Sequence, residues 1–178
     1  AGLLYNGQWE AEYAKQALPN YQVFDEQRYF TPGTETLVYE HKGAKLGIVI
    51  CEDLWDGAPV KAAAQAGAEV LVSLHASPYH QDKPAERLRL LEKHAQDTQL
   101  PIVYVNTIGG QDELVFDGGS CCVDASGELQ VLAPYWQAGL MPVQFLQTSA
   151  TVWEPQAGEV DPEVEPEESL YCALVTGL

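Results

Sequence analysis

Short apolar runs separated by helix-like stretches constrain this chain more than any other feature. Residues 46–50, 69–74 and 101–105 are each dominated by apolar side chains and are of strand length. Runs of this kind, bounded by turn-forming residues, read as buried strands. Between them, residues 60–66 read as a helix that stops at Gly67. Residues 84–96 read as an amphipathic helix, with Pro84 in its first turn and Leu88, Leu91 and Ala95 on one face. Strands alternating with helices predict a layered α/β architecture. Around this kernel, Asn6-Gly7 predicts a tight hairpin between strands at 3–5 and 8–13. A strand at 37–39, a hairpin joining 120–123 to 128–132, and a strand at 143–146 complete the pattern, with loops at 15–33, 75–83 and 107–119.

The bulk composition bounds the function. With 178 residues and 46% hydrophobic content, the chain can bury a sizeable core as one domain. The net charge is −17, and every Lys and Arg lies at or before Lys93, whereas thirteen acids follow it. A basic surface for nucleic acid or an anionic membrane is therefore not expected, nor is a membrane span, which needs about 18 consecutive apolar residues. Cys51, Cys121, Cys122 and Cys172 lack zinc-ligand spacing, and two of them are adjacent. That argues against a disulfide-stapled secreted scaffold and for a reducing, cytoplasmic compartment. Residues 154–168 carry seven acids, three prolines and no basic residue, the composition of a solvated linker or of an arm laid over a neighbour. The expected division is a domain at 1–150, an acidic linker at 151–168 and the start of a second unit at 169–178.

The chemistry centres on Cys51. The run Gly47-Ile48-Val49-Ile50 ends abruptly on Cys51-Glu52-Asp53, placing a thiol where a strand leaves the sheet toward a helix. Backbone N–H groups there favour a thiolate and a developing oxyanion; a buried structural cysteine fits the same segment. A second candidate is Lys15, which enters a loop carrying Tyr21, Phe24, Glu26, Tyr29 and Phe30. These neighbours predict a partly buried lysine paired with a carboxylate, with Tyr29 and Phe30 in the core. His75 and His80 read as polar loop residues, and no set of ligands converges as a metal site requires.

Several longer blocks then carry a resemblance. Lys15 with Leu18-Pro19-Asn20-Tyr21, Phe24-Asp25-Glu26, Cys51-Glu52-Asp53-Leu54-Trp55, Ala76-Ser77-Pro78-Tyr79-His80 and the stretch 109–120 resemble the nitrilase superfamily. Within it, they look most like the glutaminase domains of glutamine-dependent NAD synthetases. The resemblance covers about residues 1 to 150 and implies a four-layer α-β-β-α sandwich, here partial and without its N-terminal strand–helix segment. It implies Cys51 as nucleophile, Lys15 as oxyanion stabiliser and Glu26 as an auxiliary carboxylate that orients the lysine. Tyr21, Ser77, Lys83 and Glu52 are implied as glutamine-binding residues, with no metal. The general-base glutamate is expected outside this chain. Hydrolysis of glutamine would supply ammonia for ATP- and Mg-dependent conversion of deamido-NAD to NAD in a synthetase domain of the same polypeptide, within a homo-oligomer.

Two other readings stand beside this one. A stand-alone nitrilase-type amidase acting on another small amide would end near the sandwich, whereas the acidic linker and the stretch from Ser169 run on beyond it. A catalytically inactive nitrilase-like assembly module would have no need of both Lys15 and Cys51. Lacking the base-bearing strand, the 178 residues alone are expected to fold poorly and to be inactive.

Overall fold

The computed structural model describes residues 1–161 and 164–178. The chain opens with the hairpin β1 (Gly2–Tyr5) and β2 (Gln8–Glu12), followed by a loop containing a single 3-10 turn at Glu26–Arg28. Then come β3 (Leu37–His41), β4 (Ala44–Ile50), α1 (Glu52–Asp56), α2 (Ala58–Gln65), β5 (Val70–His75), α3 (Lys83–Thr98) and β6 (Ile102–Asn106). Two hairpins follow, β7 (Ile108–Gln111) with β8 (Leu114–Asp117), and β9 (Cys121–Val123) with β10 (Leu129–Leu132). The last elements are β11 (Phe145–Ser149), β12 (Val152–Pro155) and α4 (Pro166–Thr176).

Six strands form one mixed sheet in the order β10-β9-β6-β5-β4-β3. Its centre is parallel: Leu46 to Ile50 of β4 pair with Val70 to Leu74 of β5, and Leu71 to His75 of β5 pair with Ile102 to Asn106 of β6. The three apolar runs are thus neighbours. Parallel strands need crossover connections, and the helical stretches between the runs supply them. β3 and β9 close the two sides antiparallel. Asn6-Gly7 and Lys42-Gly43 make the tight turns of the β1–β2 and β3–β4 hairpins, all four residues having positive φ as that turn demands.

The core lies between this sheet and the helices, where Val60, Ala63, Leu71, Leu91, Ala95 and Ile102 are fully buried. Gly47 lets α2 lie close on β4: a Cβ there would sit 3.0 Å from the Ala68 Cβ and 3.1 Å from that of Ala63. On the opposite face Leu74 and Val105 remain exposed, although the same strands read as apolar on both sides. Continuous apolar runs of this kind belong to sheets covered on both faces, which agrees with a partial nitrilase-like sandwich.

Some elements depart from the sequence expectation. The expected loop at 107–119 contains β7 and β8, whose Gly109-Gly110 pair weakens any strand signal. α1 is only five residues long, too short to show a helical period. β12 ends in Glu154-Pro155 and is fixed by its partner β11 and by Trp153, whose Nε1 donates to Glu69 at 3.1 Å. Tyr29 and Phe30 are exposed rather than core, because the turn at Glu26–Arg28 directs the chain outward. His75 is buried at the end of β5 and is not a loop residue.

Within the acidic stretch, residues 158–161 run along the edge strand β10: the Leu132 N–H donates to the Glu159 carbonyl and the Asp161 N–H to that of Leu132. Pro162 and Glu163 lie outside the described residues. α4 begins at Pro166, three residues ahead of the expected start, and packs on the β7–β8 hairpin, where Gly177 meets Val115.

Candidate active site

The site is built at the carboxyl ends of β4, β5 and β6, where open α/β sheets present their loops and bind ligands. β4 runs into α1 with Cys51 as the only intervening residue. A strand that meets a helix without a spacer must turn sharply at one position, and Cys51 does so at φ 45° and ψ −100°. Such a backbone is costly for a residue with a Cβ. It is held from both sides: the Cys51 N–H donates to the Leu74 carbonyl, and the Leu54 N–H to the Cys51 carbonyl, each at 2.9 Å. The thiol is thereby presented at the first turn of α1.

Lys15 reaches the same place from the loop after β2. Its Nζ donates to both Glu26 oxygens, at 2.8 and 2.6 Å, and its side chain is only 13% exposed. The backbone holds the loop as well, since the Gly33 N–H donates to the Lys15 carbonyl at 2.8 Å and the Glu26 N–H to that of Pro19 at 3.2 Å. Burial raises the Cys51 thiol above the ordinary thiol range; the Lys15 charge opposes that, Glu52 and Glu26 add to it, and a backbone hydrogen bond from Ala76 opposes it. The Lys15 charge thus works in the direction that favours a thiolate, against burial.

The remaining anticipated residues fall around this pair. Glu52, the first residue of α1, accepts from the Tyr21 hydroxyl at 2.9 and 3.1 Å. Tyr21 is half exposed, and burial, then its bond to Glu52, push its phenol up to about 12. Lys83 opens α3 with its Nζ 3.9 Å from the Trp55 ring centroid and 3.2 Å from Glu86. Ser77 is buried: its N–H donates to Asn106 at 3.0 Å, and its carbonyl and hydroxyl accept from Arg87 at 2.9 and 3.3 Å. Glu52 adjoins the thiol and acts on it, whereas Lys83, of opposite charge, is held against Trp55 and Glu86. Among the described residues no group of three or more His, Cys, Asp or Glu is placed to hold a metal ion.

Four supporting residues were not singled out from the sequence. Asp53 is fully buried and accepts four hydrogen bonds, from the Tyr13 hydroxyl and from the backbone N–H groups of Gln16, Ala17 and Ile50. Arg87 and Asp117 form a buried ion pair at 2.8 Å, and Asn106 links it to Gly118. One signal was available. Arg87, Leu91, His94 and Ala95 share the buried stripe of α3, so an arginine at the first position of an apolar helical face required a buried partner. A cavity of about 610 Å³ between β6, β9 and the loop at 133–143 is lined by neither Lys15 nor Cys51.

Residues 3–153 match the carbon-nitrogen hydrolase family. Along its whole length the chain is 38% identical to a glutamine-dependent NAD(+) synthetase of Xylella fastidiosa and 36% identical to that of Thermotoga maritima. It spans only 33% and 36% of those two proteins. The solved glutamine-dependent NAD+ synthetase of Acinetobacter baumannii superposes with a TM-score of 0.92 at 37% identity, over 98% of this chain and 33% of that one. An amidase of the nitrilase superfamily from Nesterenkonia superposes over 72% of this chain and 47% of its own, with a TM-score of 0.61 and 27% identity.

Proposed function

The chain belongs to the carbon-nitrogen hydrolase family, and from that premise we propose that it cleaves the side-chain amide of glutamine. The ammonia released would serve ATP- and Mg-dependent conversion of deamido-NAD to NAD elsewhere in the same polypeptide. The observation that carries this reading is the Lys15–Glu26 pair set against a thiol at the turn between β4 and α1. In the reaction the Cys51 sulfur attacks the amide carbon. The carbonyl oxygen gains negative charge, which the Lys15 ammonium and the backbone N–H just after Cys51 stabilise. The C–N bond then breaks, nitrogen leaves as ammonia with a proton supplied by a general acid, and a thioester remains. Water cleaves the thioester to glutamate and restores the thiol. The acid and base work belongs to a glutamate proposed outside residues 1–178.

For glutamine, an α-ammonium suits the Glu52 carboxylate with Tyr21 next to it, and an α-carboxylate suits Lys83, which Trp55 and Glu86 hold, together with Ser77 on the loop after β5. Glu26 keeps the lysine oriented. Four unpaired cysteines fit a reducing cytoplasm. The comparisons favour this reading over a stand-alone amidase, since the synthetase superposes over almost the whole chain and the amidase over less than three quarters.

The test is Cys51→Ala in the full-length polypeptide. Glutamine-supported NAD formation is expected to vanish while ammonia-supported formation persists. Retention of the glutamine-dependent activity would overturn the assignment.

A further inference from the structure

We propose that Asp53 is a positioning residue: its buried carboxylate pins the loop that carries Lys15 to the strand end that carries Cys51, and so sets how the ammonium approaches the sulfur. This rests on the reading of Cys51 as nucleophile and Lys15 as its electrostatic partner.

The argument is geometric. Asp53 lies two residues after Cys51, in the first turn of α1, and is 0% exposed. Its Oδ1 accepts from the Gln16 and Ala17 N–H groups at 3.0 and 2.7 Å, the two amides that follow Lys15. Its Oδ2 accepts from the Ile50 N–H, just before Cys51, and from the Tyr13 hydroxyl, each at 2.9 Å. One carboxylate thus joins segments on both sides of the lysine to the residue preceding the cysteine, across more than thirty positions of sequence. Among the described residues no Lys or Arg is ion-paired with it, so four neutral donors hold the charge, and hydrogen bonds to an ionised group are the stronger ones. Glu26 orients the tip of the lysine; Asp53 fixes the backbone from which it extends.

Asp53→Asn keeps the shape and removes one acceptor. Turned one way, its NH2 group faces the Gln16 and Ala17 amides; turned the other, it faces the Ile50 amide, while the Tyr13 hydroxyl can rotate to accept from it. Either way a backbone N–H loses its acceptor, and the tie between the Lys15 loop and the end of β4 loosens. A displacement of about 1 Å in a reacting group costs on the order of a hundredfold in rate.

The experiment uses the full-length polypeptide as wild type, Asp53→Asn and Tyr13→Phe. It measures iodoacetamide alkylation of Cys51 against pH, together with steady-state glutamine hydrolysis normalised to alkylatable thiol. The groups facing the sulfur are Lys15, Glu26 and Glu52, with Tyr21 and Tyr104 beyond them; neither variant replaces any of the five. Asp53→Asn is expected to lower kcat about a hundredfold, to change KM far less, and to move the alkylation profile to higher pH as the ammonium withdraws. Tyr13→Phe, which removes one donor of four, is expected to shift both in the same direction by less. A folded Asp53→Asn protein with wild-type kcat and alkylation profile would overturn the proposal. Should that variant fail to fold, an unshifted kcat and profile in Tyr13→Phe would do the same. If the wild type hydrolyses no glutamine, the functional reading fails, while the alkylation profiles still decide whether Asp53 couples Lys15 to Cys51.

Discussion

Replacing Arg87 by Met is expected to be among the most damaging single changes in this fold. The Arg87 side chain is 4% exposed and that of Asp117 is 1% exposed, and one guanidinium nitrogen sits 2.8 Å from both carboxylate oxygens. The other nitrogen donates to the Ser77 carbonyl at 2.9 Å. Methionine fills the volume of the stem but leaves Asp117 with a backbone hydrogen bond and the 3.5 Å contact from the Asn106 amide, and no buried cation against it. Stranding a buried charge costs about 3–5 kcal/mol, and the lost bond to Ser77 adds about 1 kcal/mol. Burial already raises the Asp117 carboxyl above the usual carboxylate range, with Arg87 opposing, so without the arginine it rises further. A raised carboxylate binds protons more tightly when folded than when unfolded. The variant's stability is therefore greatest below the ordinary carboxylate pKa and falls as pH rises above about 4, so its deficit against wild type widens toward neutrality. Native-state hydrogen exchange of the β5 and β6 amides measures the opening of this sheet, whatever else the polypeptide contains. Arg87→Met combined with Asp117→Leu should recover most of the loss, because no buried charge remains. A single variant within about 1 kcal/mol of wild type, or a double variant less stable than the single, would refute the reasoning.

Lys15→Met should move Cys51 alkylation to still higher pH and lower glutamine turnover by about a hundredfold or more, as expected when a group stabilising an oxyanion is lost; an unchanged pH profile in stopped alkylation assays would show that the ammonium does not act on the thiol. Burial, reinforced by Arg87 and Lys15, holds the His75 imidazole down at about 3. The unfolded chain therefore takes up a proton there that the folded one refuses, and stability should fall between about pH 6.5 and pH 3 by up to about 1.4 kcal/mol per pH unit. His75→Gln, which keeps a hydrogen-bonding group near Ser73, should flatten that limb in urea titrations at a series of pH values; the same slope in both proteins would rule His75 out as its source.

Much of the fold was legible because its signals are local. Residues 46–50, 69–74 and 101–105 are rich in apolar side chains on both faces, the second interrupted only by Glu69 and Ser73, as strands buried on both faces are, and Asn6-Gly7 names its turn by itself. The long blocks around Lys15 and Cys51 carried the resemblance, and the family match over residues 3–153 agrees with it. Elements of four or five residues stayed hidden: α1 is shorter than two helical turns, and β7 has glycine at two of its four positions. Tyr29 and Phe30 misled because aromatic content predicts burial only where the chain turns inward.

By itself the sequence determined the layered α/β class, the three central strands, the family and the identities of the lysine and the cysteine, since each is written in neighbouring residues. Only the tertiary structure decided that β4, β5 and β6 lie parallel and adjacent, so that their carboxyl ends come together at one end of the sheet. It alone brought the expected Lys15–Glu26 pair, through Asp53, to the end of β4. It also buried Arg87 against Asp117. The physical reason is that a buried polar group must find its partners in space, and the partner that satisfies it can lie at any distance along the chain.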